Sequence, residues 1–510
     1  MESRTKNSLR NIKTGAIVQI INNLMRFVVR TIFIKFLNSE YLGVNGLFTN
    51  ILTMLSFAEL GIGTAIIFSM YKPIAEDDKE KIKGLMKLYK TSYTIIGIVV
   101  FALGLLVIPF MKYIIKDAPN IKENLTFIYI LFLINTSSSY FFTYKKSIIT
   151  AYQKQSIINN IDSIVYLVKS IAEILVLIFT KNYILYLITD ISSTILENII
   201  VAHKADKMYQ FINDKNIKEI SKKEKKGIFS NVKSLFVYKL GEVILTGTDN
   251  ILISSMVNVS AVGIASNYTM IIQAIKGVVS NALNGVTASV GNLNVSDDKK
   301  KQEKVFYQLT FVNYIVYSFC SIAFIILLNP FIKIWLGEKY IFALDVSIAL
   351  SVSFFIDGIR NPGFIYRTTL GLFAKAQATP YIGAIVNIIA SILLCKKYGI
   401  VGIYIGTSIA QLSSYVWIDP VLIYKYAFKK SPLPYFATVS KYYLLFTINL
   451  IITYFIANLV KFEGISGLLL KFVIVAIVPN VFNTLTLMRT DEFKDTYKKV
   501  VEPVVKKIKK

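Results

Sequence analysis

Apolar runs of about twenty residues recur from one end of this chain to the other, each long enough as a helix to cross roughly 30 Å of hydrocarbon. Hydrophobic residues make up 54% of the 510 positions, charged ones only 17%, and the mean hydropathy is +0.55. Soluble domains are about 45–50% apolar and about 25% charged. A cytosolic enzyme, a disordered chain and a secreted disulfide scaffold are therefore excluded. Cys320 and Cys395 each sit inside an apolar run and read as buried thiols. His203 is the only histidine. That excludes sites built on several imidazoles and argues against a Ser-His-Asp hydrolase.

The hydropathy pattern predicts an all-α, polytopic membrane protein of about fourteen spans. Six fall near 14–36, 43–71, 91–115, 124–144, 157–180 and 182–202. Six more fall near 234–256, 260–293, 305–329, 341–366, 378–396 and 400–424, and a last pair near 442–460 and 465–488. The polar opening from Met1 to Lys13, followed by a long apolar run without a small-residue cleavage site, is not expected to be a cleaved signal. The net charge is +26. Assigning alternate loops to opposite sides puts roughly forty Lys and Arg on one side and about nine on the other, which predicts that both termini are cytoplasmic. Topology and anionic lipid account for that charge, so no nucleic-acid partner is expected.

The chain also repeats itself at an offset of roughly 220 residues. Gly43-Val44 matches Gly263-Ile264, and Asp77-Asp78-Lys79 matches Asp297-Asp298-Lys299. Pro109-Phe110-Met111-Lys112 matches Pro330-Phe331-Ile332-Lys333, and Tyr152 and Lys154 match Phe373 and Lys375. Six spans per half is an even number, so both halves insert the same way round, as parallel repeats. The expected organisation is a six-helix lobe over 1–202, a basic linker over 203–233, a second lobe over 234–424, a helix pair over 425–488 and a basic tail over 489–510.

Ionisable residues inside the spans cost at least about 2.5–3.5 kcal/mol each, so they face a cavity or a partner. Helical spacing groups them. Gln19, Asn22, Arg26 and Arg30 share one face of the first span, and Asn45, Thr49, Thr53, Ser56 and Glu59 form a stripe on the second. Lys239, Glu242, Thr246 and Asp249 repeat the pattern in the seventh, as do Thr269, Gln273, Lys276, Ser280 and Asn284 in the eighth. Four stripes at repeat-equivalent places predict one hydrophilic cavity. Arg26, Arg30, Lys239 and Lys276 are its candidate ligand-binding cations, with Asn22 and Gln273 beside them. Glu59 and Asp249 are candidate counter-ions or coupling-ion sites. Simpler readings stand beside these. Lys239 and Glu242 neutralise each other, and Arg30 and Lys35 snorkel to the headgroups. Arg26 lies about eight residues, roughly 12 Å, from the nearer end of its span, too deep to snorkel. Asp162, Lys169 and Glu173 read as one structural ion pair, and Asp357 with Arg360 as another. No Walker A loop, dinucleotide fingerprint or metal-spaced cluster is present, so no ATP hydrolysis, catalytic residue, cofactor or metal is expected.

The stretch from Arg30 to Asn50, RTIFIKFLNSEYLGVNGLFTN, then LSFAELGIG over Leu55 to Gly63 and YKPIA over Tyr71 to Ala75, resembles the Wzx-type polysaccharide flippases of Gram-positive bacteria. These belong to the multidrug/oligosaccharidyl-lipid/polysaccharide exporter superfamily. The resemblance covers the repeated twelve-span body and is specific in the first two spans. It implies two six-helix bundles in a V shape. It also implies a substrate of undecaprenyl-diphosphate-linked oligosaccharide, flipped for surface polysaccharide synthesis alongside a polymerase and glycosyltransferases. Related peptidoglycan-precursor flippases bind a lipid diphosphate with cavity arginines, and Arg26 and Arg30 lie on the corresponding first helix. The last pair of spans is like the fourteen-span peptidoglycan flippases, which keeps that substrate as an alternative.

Arginine pairs with phosphate oxygens bidentately and lysine adds a point charge. A drug–cation antiporter on the same fold would favour a cavity of negative charge, and the candidate lining here is slightly positive. A membrane polymerase or ligase would need a catalytic site at the outer face, where the loops are short.

Overall fold

The computed structural model describes residues 4–59, 61–214, 217, 219–228, 247–294, 298–372, 375–498 and 502. Every regular element among them is helical. By internal contacts the chain divides into two compact units, Met1–Ser266 and Asn267–Lys510. The first holds α1 (Arg4–Phe36), α2 (Ser39–Leu55), α3 (Ile62–Ala75), α4 (Lys79–Val107), α5 (Leu125–Ala151), α6 (Gln155–Thr180), α7 (Tyr183–Met208) and α8 (Asp249–Met256). Helix α9 (Val259–Asn294) begins in the first unit and ends in the second. The second continues with α10 (Lys299–Leu336), α11 (Leu344–Thr369), α12 (Ala378–Tyr398), α13 (Ile400–Ser413), α14 (Tyr415–Ile423), α15 (Leu433–Asn458), α16 (Gly464–Leu487) and the short α17 (Asp491–Thr496).

Every expected span except the seventh falls on these helices; residues 234–246 of the seventh lie outside the described residues. Nine helices among the described residues are individually long and apolar enough to cross a membrane. The other spans fall short for physical reasons. Charged residues dilute α1 and α11, and breaks split α2 from α3 and α13 from α14.

Local chemistry sets the helix starts. Asn38, Asn124 and Asn182 cap α2, α5 and α7 by accepting backbone N–H bonds that the first turn leaves over. Asp78 and Asp298 do the same for α4 and α10. The second expected span departs from a simple helix. After Leu55 it tightens into a 3₁₀ turn, Ser56–Glu59, and the helix restarts at Ile62 after Gly61, whose φ of 95° favours glycine. The stripe from Asn45 to Glu59 is therefore interrupted at its end, whereas α9 runs unbroken for 36 residues.

Within the first unit, one core cluster gathers Leu47, Phe48, Ile128, Tyr129 and Tyr183, and another gathers Ile66, Met70, Leu85, Met86 and Ile148. Linker residues Tyr209, Ile220 and Ile228 join the second cluster. Ion pairs from Lys81 to Glu224 (2.7 Å) and Lys87 to Glu219 (3.0 Å) fix the linker to α4. Backbones also meet closely where α2 crosses the start of α9. A Cβ on Gly43 would lie 1.9 Å from the Val259 carbonyl oxygen, and one on Gly263 would lie 2.0 Å from that of Ser39. The Ser39 and Ser260 hydroxyls are 2.8 Å apart at the same crossing. Small residues that let helices approach are the usual glue where lipid removes the hydrophobic drive.

In the second unit, α15 and α16 pack on α10. The Tyr314 hydroxyl donates to Asn483 Oδ1 at 2.9 Å, and Asn449 Nδ2 donates to the Pro479 carbonyl at 3.3 Å. The last helix pair is thus tied by buried polar contacts.

Candidate functional site

In the first unit, Arg26 is exposed on α1 and makes no ion pair among the described residues. One turn on, Arg30 Nη1 donates to Ser266 Oγ at 2.7 Å. Ser266 in turn donates to the Gly263 carbonyl at 2.7 Å, which leaves its lone pairs for the guanidinium. Asn22 keeps its side-chain oxygen buried, with no hydrogen-bond partner among the described residues.

Glu59 sits at the α2–α3 break. Its carboxylate accepts from the Tyr93 hydroxyl of α4 at 2.6 Å, and Tyr93 stacks on Tyr89 with centroids 4.4 Å apart. Its recorded partner is thus a phenol, not Arg26 or Arg30. Asp249 is the first residue of α8. Lys239 and Glu242 lie outside the described residues.

Sequence spacing missed a ladder of charges on α5, α6 and α7. Lys169 pairs with Glu173 at 3.6 Å, as expected for four-residue spacing, and also with Asp190 of α7. Asp162 does not join that pair, a correction to the grouping expected of it. Its partner is Lys146 of α5 at 3.2 Å, which also meets Glu197 of α7 at 3.3 Å. Lys145 meets Asp206. The helices bring together residues that no single-helix period connects. The available signal was the charges at 190, 197 and 206 on an otherwise apolar α7.

In the second unit, Asp357 of α11 binds two cations. Arg360 approaches it through Nε at 2.8 Å and Nη2 at 2.6 Å, and Lys276 reaches the other carboxylate oxygen from α9. The Tyr415 ring lies 4.6 Å from the guanidinium carbon of Arg360. Asp357 and Arg360 do pair, but the pair is a triad: two cations on one carboxylate leave a net positive charge. Its side chains are 14% to 39% exposed, so the surplus is within reach of a ligand. Gln273 is exposed one turn earlier on α9. Nearby, Arg367 holds both oxygens of Asp419 at 2.7 and 2.9 Å, and the two side chains are 0% and 1% exposed. That pair is sealed and structural.

Nine described helices long and apolar enough to cross a membrane, with ionisable side chains among them, are the make-up of a multi-pass membrane protein. Residues 8–287 match the polysaccharide biosynthesis protein family, and the chain belongs to that family. Among solved structures it is similar to a lipid II flippase MurJ in an inward closed conformation, with a TM-score of 0.63 at 16% identity, covering 92% of this chain and 98% of that one. It is also similar to an inward-facing multidrug resistance MATE family transporter of the MOP superfamily, with a TM-score of 0.58 at 15% identity, covering 79% and 97%. A MATE structure in a bent conformation matches with a TM-score of 0.51 at 15% identity, covering 84% and 97%. These likenesses establish the fold. No curated protein matches the chain.

Proposed function

We propose that this protein is a flippase that moves undecaprenyl-diphosphate-linked oligosaccharide units from the cytoplasmic to the outer leaflet for surface polysaccharide synthesis. Membership of the polysaccharide biosynthesis family supports a lipid-linked sugar as cargo. The observation that carries the reading is the surplus of positive charge inside the spans. Arg26 has no acid partner among the described residues, and Lys276 and Arg360 share one carboxylate. A diphosphate is the anion such a lining suits. Arg26 and Arg30 act as phosphate ligands, with Lys276 and Lys239 as point charges. Asn22 and Gln273 contact sugar hydroxyls. Glu59 or Asp249 carries a coupling ion or balances charge. Movement follows alternating access, with both termini in the cytoplasm of the bacterial cell. An inside-negative potential favours outward passage of the anion by about 2.3 kcal/mol per charge per 100 mV.

A second reading is a flippase for a lipid-linked peptidoglycan precursor. It is favoured by the MurJ likeness, which covers 92% of this chain against 79% for the inward-facing MATE structure. Deleting the gene separates the two. Lipid-linked oligosaccharide trapped on the cytoplasmic leaflet, with intact wall synthesis, supports the first. Accumulated peptidoglycan precursor supports the second. Loss of a surface polymer without either accumulation overturns both.

A further inference from the structure

Helix α10 carries a second stripe, unrelated to the polar faces discussed so far. Its residues at 300, 303, 304, 307, 308, 311, 312, 315 and 316 recur at three- and four-residue spacing and so share one face. The stripe changes character along its length. Its first part, Lys300 to Gln308, lines a polar cavity of about 340 Å³ closed by Asp491, Glu492 and Asp495 of α17. Its second part, Phe311 to Val316, lines an apolar cavity of about 180 Å³. That cavity is closed by Asn483 and Thr484 of α16 and by Phe493 and Tyr497. The sixteen steps from Lys300 to Val316, at 1.5 Å each, set the two cavities along roughly 24 Å of α10. That is the reach of a lipid headgroup and most of one acyl chain in a single leaflet. The polar end is the one that the positive-inside count assigns to the cytoplasm.

The charges at the polar end sort into satisfied and unsatisfied groups. Asp495 accepts from Gln308 Nε2 at 2.7 Å and pairs with Lys304. Glu303 pairs with Lys430. Lys300, Asp491 and Glu492 form no ion pair within 4 Å among the described residues, although both acids lie in the field of Lys304, and Lys300 and Asp491 face solvent. One ammonium and two carboxylates therefore remain at the mouth of an apolar slot. An anionic lipid would meet the two acids. A phosphodiester bearing a primary ammonium matches all three, with its phosphate at Lys300 and its ammonium at Asp491 and Glu492.

We propose that the α10–α16–α17 cleft is a binding site for a phospholipid with a primary-ammonium headgroup, one acyl chain lying along Phe311 to Val316. The site is separate from the cation cluster at Asp357 and does not depend on which lipid-linked sugar is transported.

The test is native mass spectrometry of the full-length protein in mild detergent with equal phosphatidylethanolamine and phosphatidylglycerol. The wild type should retain the ethanolamine lipid over the glycerol lipid by at least about fivefold, a modest preference befitting partly exposed charges. Asp491→Lys with Glu492→Lys, on a terminal surface helix, should abolish that preference. Ile315→Trp should fill the apolar slot and lower retention of both lipids in a monodisperse sample. Equal retention of the two headgroups by the wild type overturns the proposal. So does a preference that survives the double charge reversal. If Ile315→Trp does not yield monodisperse protein, the charge-reversal result alone decides.

Discussion

Asp78 and Asp298, separated by the repeat offset, cap their helices in the same way. Asp78 has φ −79° and ψ 82° and accepts the Lys81 N–H at 2.9 Å. Asp298 has φ −78° and ψ 79° and accepts the Lys301 N–H at 3.0 Å. Replacing an N-cap aspartate by alanine costs about 1 kcal/mol. Asp78→Ala and Asp298→Ala should each lower thermal stability in detergent by that amount, and Asn at either place should restore it. Unequal costs would show that the two capped turns have diverged in energetic weight.

Arg26 is the candidate site residue whose removal is most informative. Arg26→Ala should abolish surface polysaccharide export while leaving the amount of protein in the membrane near normal. Arg26→Lys should rescue in part, because it keeps the charge and loses the planar fork. Export and immunoblotted abundance are measured together. Full export in Arg26→Ala would show the charge to be dispensable, and loss of the protein would show it to be structural.

The two ion clusters of the second unit should respond differently. Asp357→Asn leaves Lys276 and Arg360 facing one another and should cost on the order of 3 kcal/mol. Lys276→Ala leaves Asp357 neutralised by Arg360, so the protein should fold and lose transport. Arg367→Ala strands a sealed Asp419 and should cost about 3–5 kcal/mol, whereas Arg367→Met with Asp419→Leu should recover most of that. Thermal unfolding of the purified variants distinguishes these outcomes.

Docking of the linker on α4 should depend on pH and salt. Hydrogen bonds from Lys87 and then Lys225 hold the Glu219 carboxyl below its ordinary 4.5, and a hydrogen bond from Lys81 does the same for Glu224. A carboxylate whose folded value is lowered stabilises above its unfolded value and loses that contribution as pH falls through the folded one. Lys81, raised by Glu224 from its ordinary 10.5, contributes below that value and loses its effect above it. Hydrogen-exchange protection over residues 219–228, taken relative to the intrinsic amide rate at each pH, should therefore be highest between about pH 4.5 and 10.5. Protection should fall on acidification and, since the pairs are exposed, with added salt. Exchange indifferent to both would show that Ile220 and Ile228 alone hold the linker.

Hydropathy located the spans because burial in lipid demands uninterrupted apolar helix, and that demand is written residue by residue. The break at Ser56–Gly61 was less legible, since Gly61 and Gly63 read equally well as packing positions until Gly61 adopts φ 95°. Charge partners were legible only within one helix. Lys169 and Glu173 announce themselves by spacing, but Lys146 finding Asp162, or Lys276 finding Asp357, depends on how separate helices turn toward each other. The lipid cleft was missed for the same reason: its stripe on α10 gains meaning only once α16 and α17 lie over it.

The crossing of Gly43 and Gly263 carries a consequence for ancestry. Gly43 abuts the Val259 carbonyl and Gly263 abuts that of Ser39, and the repeat offset turns one contact into the other, Gly43 answering to Gly263 and Ser39 to Val259. Such reciprocity, where i touches j and the equivalent of j touches the equivalent of i, is the mark of an isologous surface. A gene half this length would encode that surface once, and its product would bury it by pairing with a sister copy. A reciprocal crossing of this kind is what the fusion of two such half-length copies would leave inside one polypeptide.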